Sequence, residues 1–162
     1  MSQTAYLSLG SNIGDREAHL NQAIASLKTV GKVTNVSSFY ETEPVEFTDQ
    51  PTFLNCAVEL ATEHSPLELM AGVLEIERTL GRERIQKKGP RTIDIDILLY
   101  DDTIVNSPEI TIPHPAMAQR RFVLVPLSEI APHVVHPVLQ KTARQLLQEL
   151  PSGQNVWKFC KS

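Results

Sequence analysis

The run Ile93-Asp94-Ile95-Asp96-Ile97-Leu98-Leu99-Tyr100 leaves little freedom of fold. Ile93, Ile95, Ile97 and Leu99 alternate with Asp94 and Asp96, which is the period of a half-buried strand. One face must meet an apolar core, and the other carries Thr92, Asp94 and Asp96. Acids two residues apart on a strand face have Cα atoms about 6.5 Å apart, near enough to share a cation. Uncompensated carboxylates this close would raise one pKa and weaken the strand, so a divalent metal or another positive charge is expected there.

The segment ahead of this strand, Gly81 to Pro90, has two glycines, a proline and no apolar period, and reads as a mobile loop. From Arg82 to Arg91 it holds five positive charges against one Glu, in a chain of net charge -4. This local reversal of sign predicts an anionic ligand. Acids for a hard metal beside arginines for phosphate oxygens is what a magnesium-bound polyphosphate requires. A solvated loop before an ordinary strand is the alternative, and the two features together favour the first reading. No Gly-Lys-Ser/Thr ending of a Walker A loop occurs, so the arginines and the Asp pair would have to hold a nucleotide.

At 162 residues and 41% hydrophobic, the chain suits one well-buried core, a single domain over residues 1–162. A pI near 5.7 argues against a general nucleic-acid or anionic-membrane binder. Cys56 and Cys160 have neither a metal spacing nor a disulfide pattern, so free thiols in a reducing cytosol are expected. No leader-like segment and no apolar run near ~18 residues is present, and a cytoplasmic location is expected.

Ala5–Leu9 reads as a strand ended by the turn chemistry of Gly10-Ser11-Asn12. Asp15 then caps a helix with Leu20, Ala23, Ile24 and Leu27 on one stripe, stopped by Gly31. A second strand is expected over Lys32–Glu41, followed by a long connection from Thr42 to Pro51, and a third over Phe53–Leu60. In the third, Leu54, Cys56, Val58 and Leu60 oppose Phe53, Asn55, Ala57 and Glu59. Phe53 beside Asn55 has two readings: a core ring next to a strand-end amide, or a stacking platform beside an edge-reading carboxamide. The residues alone favour the first.

Ser65-Pro66-Leu67-Glu68 starts a helix with a capping box; Leu69, Val73, Ile76 and Leu80 form its buried stripe and Gly81 suits a left-handed cap. The order strand, helix, strand, strand, helix, strand gives the expected fold class, α/β (α+β): a ferredoxin-like split βαβ, with a mainly antiparallel sheet, helices on one face and extra C-terminal elements. Asp101-Asp102 reads as a turn. His114, between two prolines, is presented from a fixed loop, with Arg120 close behind as a second anion-binding group and Phe122 able to face Phe53. A final helix is expected over Thr142–Leu150 with Thr142 and Gln145 as capping box. The tail holds Trp157 and Phe159, expected to dock on the body, and no chemistry is assigned to it.

Gly89 to Leu98 resembles the signature of the 6-hydroxymethyl-7,8-dihydropterin pyrophosphokinase family of folate biosynthesis. Leu9-Gly10-Ser11-Asn12, Ser38-Phe39-Tyr40-Glu41-Thr42, Phe53-Leu54-Asn55, Ile112-Pro113-His114-Pro115, Arg120, Phe122, Pro126-Leu127 and Glu129-Ile130-Ala131-Pro132 resemble that family in the same order, from Tyr6 to about Pro132. The resemblance implies transfer of the diphosphate of ATP to the pterin hydroxymethyl group, with release of AMP. Asp94 and Asp96 would bind two magnesium ions, and with Arg82 and Arg91 they would be the catalytic residues. Arg84, Glu77, Ile97, Thr111, His114 and Arg120 would complete the ATP side. Phe53 and Phe122 would sandwich the pterin, Asn55 would read its edge, and Thr42, Glu43 and Val45 would lie alongside. This implication favours the second reading of Phe53 and Asn55.

A metal at the Asp pair would lower the pKa of the attacking hydroxyl, and closure of the arginine loop would exclude water. A monomer acting on two small molecules is expected. Lys88 stands where many members carry Trp, and Leu74 and Glu109 where some carry polar or basic nucleotide contacts, so loop closure and adenine recognition are expected to differ in detail. An RNA-binding module of this fold would need a basic setting, and a regulatory domain would have no use for a metal pair beside arginines. A nucleotidyl transferase is the nearest enzyme alternative and would release pyrophosphate.

Overall fold

The computed structural model describes residues 2–42, 52–81, 92–151 and 155–159. Strand β1 (Gln3–Ser11) is followed by helix α1 (Arg16–Ser26), strands β2 (Lys32–Val36), β3 (Tyr40–Thr42) and β4 (Phe53–Thr62), helix α2 (Pro66–Gly81) and strand β5 (Asp94–Tyr100). In the main sheet β5 pairs with β1, β1 with β4, and β4 with both β2 and β3, every pair antiparallel. This is the ferredoxin-like arrangement, in which β4 separates β1 from the strands that follow α1.

Three expected elements differ in detail. β1 does not stop before Gly10 but runs through it, paired on both sides. The expected second strand is two, β2 and β3, broken at Ser37, whose N–H donates to the Ala57 carbonyl while its hydroxyl accepts from the Ala57 N–H. Gly81 is the last residue of α2, and Gly14 is the one described glycine with positive φ, so the left-handed cap is not formed.

The helix starts follow the sequence. Asp15 accepts from Ala18 N–H at 3.1 Å, and Ser65 and Glu68 exchange reciprocal backbone bonds at 2.8 and 3.2 Å. The apolar sides of α1 and α2 meet Ala5, Leu7, Leu9, Leu54, Cys56, Val58, Leu60, Ile93, Ile95 and Ile97 in one core. Leu99 does not join them: a register shift where β5 passes Tyr6 and Leu7 puts Leu98 and Leu99 together in a second core on the other face.

Helix α3 (Arg121–Ile130) covers that second face, with helix α4 (Ala143–Glu149) behind it, so helices lie on both faces and not one. No helix is read from the sequence over 121–130, because Pro126 lies inside it and removes one backbone donor. α4 begins as expected at the Thr142–Gln145 capping box. The small hairpins are β6 (Val105–Asn106) with β7 (Thr111–Ile112), and β8 (Val135–His136) with β9 (Lys141–Thr142). β10 (Val156–Lys158) pairs with β3, so the tail is a sheet strand.

Candidate active site

Cross-strand pairing assembles the site. Gly10 is paired with Asn55 on one side and with Asp94 on the other, and Ser8 with Ala57 and Asp96. Thr42 is paired with Phe53, two residues from Asn55 along β4. Directly opposed residues point to the same side of a sheet. Thr42, Phe53, Asn55, Asp94 and Asp96 therefore share one face, with Ala57, which lies in the core under α3. Asn55 and Asp94 sit two strand spacings apart, about 9–10 Å between backbones, across a glycine with no side chain.

Gly10, which the sequence pattern presents only as turn chemistry, is a further residue of the site. A Cβ there would stand 2.7 Å from Asn55 Oδ1 and 3.6 Å from the Phe53 ring. A glycine inside a strand marks such close approach, and that signal was present in the sequence. On the same side, Asn55 Nδ2 donates to Thr42 Oγ1 at 3.0 Å; both residues are buried. Phe53 and Phe122 are half-buried, and the Arg120 guanidinium lies 5.4 Å from the Phe122 ring centre.

The acidic side is built from β5 and α2. Asp94 and Asp96 are half-buried at the start of β5, as the alternation requires. Glu77, on α2, accepts the Ile95 N–H at 2.6 Å. Burial pushes its pKa up to about 7, the Ile95 bond opposes this, and the charges of Asp94 and Asp96 add to the rise. Negative charge is thus concentrated at one spot, the condition a divalent cation relieves. Among the described residues no group of three or more His, Cys, Asp and Glu forms a metal cage. Two carboxylates with room for substrate oxygens suit magnesium, which keeps much of its coordination sphere outside the protein.

His114 is fixed beside Asp96. Its N–H donates to the Leu98 carbonyl at 3.0 Å, and Nε2 is 3.9 Å from Asp96 Oδ1. Nδ1 accepts from Ala116 N–H at 3.1 Å, so the ring proton of the neutral form sits on Nε2. Burial, and then the charge of Arg120, lower the His114 pKa, opposed by Asp94. A pocket of about 260 Å³ adjoins this corner, lined by Asp96, Ile97, Thr111 and His114, and by Met70, Ser107 and Glu109 among others. Among the described residues that line it, none is Lys or Arg. The described lining, mostly uncharged, suits the uncharged part of a ligand. Arg82, Arg84, Arg91, Lys88, Glu43 and Val45 lie outside the described residues.

The family model described as 7,8-dihydro-6-hydroxymethylpterin-pyrophosphokinase (HPPK) matches residues 6–132. A 2-amino-4-hydroxy-6-hydroxymethyldihydropteridine pyrophosphokinase of Bacillus subtilis (strain 168) is 46% identical over 160 residues, which are 98% of this chain and 92% of the relative. The protein of the same description from Aquifex aeolicus (strain VF5) is 38% identical over 157 residues, 97% of this chain and 96% of the relative. Among solved structures, wild-type Plasmodium falciparum HPPK-DHPS with pteroate has a TM-score of 0.74 at 17% identity, over 92% of this chain. The match takes in 44% of that longer chain, and the likeness is one of fold.

Proposed function

The chain belongs to the 7,8-dihydro-6-hydroxymethylpterin-pyrophosphokinase family, and from that premise we propose how its residues divide the work. It is a diphosphotransferase of folate biosynthesis that takes ATP as co-substrate and 6-hydroxymethyl-7,8-dihydropterin as acceptor. The observation that carries our assignment is the row Asn55–Gly10–Asp94. It supports a pterin on the Thr42, Phe53 and Asn55 side and a triphosphate on the Asp94 and Asp96 side, with a bare backbone between them.

Phe53 and Phe122 stack the heterocycle, Asn55 reads its edge, and Thr42 orients Asn55 through the 3.0 Å bond. The pocket beside His114 takes the nucleoside, against Ile97 and Thr111. His114, neutral with its proton on Nε2, donates to a phosphate oxygen, and Arg120 adds a fixed positive charge. Arg82, Arg84 and Arg91 are assigned to the phosphates on the sequence pattern, as are Glu43 and Val45 to the pterin side. Asp94 and Asp96 would hold two magnesium ions, and Glu77 secures the start of β5 through the Ile95 N–H. When bound, magnesium would neutralise phosphate charge and acidify the hydroxymethyl group.

The hydroxymethyl oxygen attacks the β-phosphorus in line and gives up its proton to water, the bond between the β-phosphorus and the α,β-bridging oxygen breaks, and AMP leaves with that oxygen. Such a reaction asks the protein for positioning and charge neutralisation more than for covalent chemistry. The reading is of a monomer acting as one domain. The buried free thiol of Cys56 suits a reducing, cytoplasmic setting. Among the described residues no helix is long and apolar enough to cross a membrane.

Phosphorus NMR of the protein with ATP and magnesium, with and without the pterin, tests the reaction. AMP formed only with the pterin is expected. ADP or pyrophosphate as product would overturn the assignment.

A further inference from the structure

A polar network holds the Thr42–Phe53 end of the sheet from its reverse side. Arg16, at the start of α1, donates from Nη1 to the Thr52 carbonyl at 3.0 Å and to Thr52 Oγ1 at 2.7 Å, and from Nη2 to Glu41 Oε1 at 2.9 Å. Thr52 Oγ1 donates to the same Glu41 oxygen at 3.1 Å. The other oxygen, Glu41 Oε2, accepts from Trp157 Nε1 at 3.2 Å. The Arg16 guanidinium also lies 5.9 Å from the centre of the Phe159 ring, and Phe159 N–H donates to the Phe39 carbonyl at 2.8 Å.

Glu41 immediately precedes Thr42, and Thr52 immediately precedes Phe53. Glu41 is paired with Leu54, a core residue on the side of α1 and α2, so its side chain points away from the site face. Among the described residues β3 spans Tyr40–Thr42, and Thr42 is paired with Phe53 of β4. A short strand depends on its neighbours for its position. Here the other edge of Thr42 is paired with Val156 of β10. The Arg16 and Glu41 side chains are each only 22% exposed, so their bond is shielded from the screening that weakens surface pairs.

We propose that Arg16, Glu41 and Trp157 are positioning residues for the pterin: acting through the backbone from the reverse face, they set the Thr42–Phe53 pair, and the C-terminal strand is thereby part of the substrate-binding apparatus. This rests on the reading that Thr42, Phe53 and Asn55 hold the pterin. It assigns a function to the tail, to which the sequence pattern assigns none.

The test compares Trp157→Phe, which keeps the ring and removes the donor, and Arg16→Lys, which keeps the charge and removes the fork, with Phe53→Ala and with Arg78→Ala, a solvent-facing control paired with Glu75. KM for each substrate, kcat and Tm are measured in the full chain. Losing one bond to a charged group predicts a rise of about tenfold in pterin KM for Trp157→Phe and Arg16→Lys. The ATP KM and kcat should stay within about twofold, and Arg78→Ala should match the parent. If Phe53→Ala raises pterin KM while folded Trp157→Phe does not, the positioning role is overturned. Equal effects on both substrates, or loss of activity that merely follows a fall in Tm, overturn it too. If Phe53→Ala leaves pterin KM unchanged, the site reading itself fails, whatever the network variants do.

Discussion

Gly10 and Asn55 are cross-strand partners, and the space a Cβ on Gly10 would need is filled by Asn55 Oδ1, 2.7 Å away. Gly10→Ala must therefore displace Asn55, which is buried and bonded to Thr42. The expected result is a rise in pterin KM of about 10- to 100-fold with ATP binding retained, since the nucleoside pocket is lined by other residues. Isothermal titration with each substrate separates the two. Unchanged pterin affinity would mean that Asn55 does not read the heterocycle.

His136 gives the fold an acid-side weakness away from the site. It is buried, and its Nδ1 accepts the N–H groups of Val138 and Leu139 at 3.3 and 3.1 Å. Burial lowers its pKa below the ordinary 6.5, only partly opposed by its own backbone. The unfolded chain then binds the proton first. The stabilisation is complete above about pH 6.5 and is lost as pH falls through the folded-state pKa. Thermal melts from pH 7.5 to 5 should fall less steeply for His136→Asn, whose amide oxygen can accept the same bonds without titrating. Parallel curves for the two proteins would refute this.

Glu129 links the end of α3 to β3: it accepts from Tyr40 OH at 2.6 Å, from Ser38 N–H at 2.9 Å and from Ser38 Oγ at 3.2 Å. Burial alone would raise its pKa, but these bonds outweigh burial and hold it below the usual 4.5. A depressed carboxyl stabilises above its unfolded pKa and loses that contribution as pH falls through the folded value. Tyr40→Phe should cost about 1 kcal/mol at neutral pH, the exposure of this pair keeping the figure at the low end for a charged acceptor. The deficit should shrink in acid. Urea melts at pH 7 and pH 3.5 check it, and a deficit independent of pH would point to lost packing instead.

How much of this was legible beforehand depends on which residues face what. The Ile93–Ile97 alternation correctly placed Asp94 and Asp96 on one face because a local period of two is set by the strand itself. The same period failed at Leu99, since the bulge that turns it over is decided by pairing with Tyr6 and Leu7. Helix starts at Asp15, Ser65 and Thr142 were legible as cap chemistry. α3 was not, because Pro126 contradicts local propensity and burial over the second core outweighs it. Gly10 and the Arg16–Glu41–Trp157 network depend on contacts between distant segments, which no single-sequence period encodes.

The acidic corner should bind magnesium. Asp94, Asp96 and Glu77 oppose one another there, and the two Asp charges add to the burial that chiefly raises the Glu77 pKa. A cation that binds the folded protein alone stabilises it by mass action. Magnesium at about ten times its Kd should contribute about 1.4 kcal/mol, a rise of about 3–6 °C in Tm for a chain of this length. Asp96→Asn should have two opposite effects. It relieves repulsion, so Tm without magnesium should hold or rise, while the magnesium-dependent increment and turnover should both fall, turnover by about 100-fold or more. Scanning fluorimetry with magnesium against sodium chloride of equal ionic strength separates specific binding from screening. An increment equal in the two salts, or one that survives Asp96→Asn with near-normal turnover, would remove the Asp pair from its assigned role.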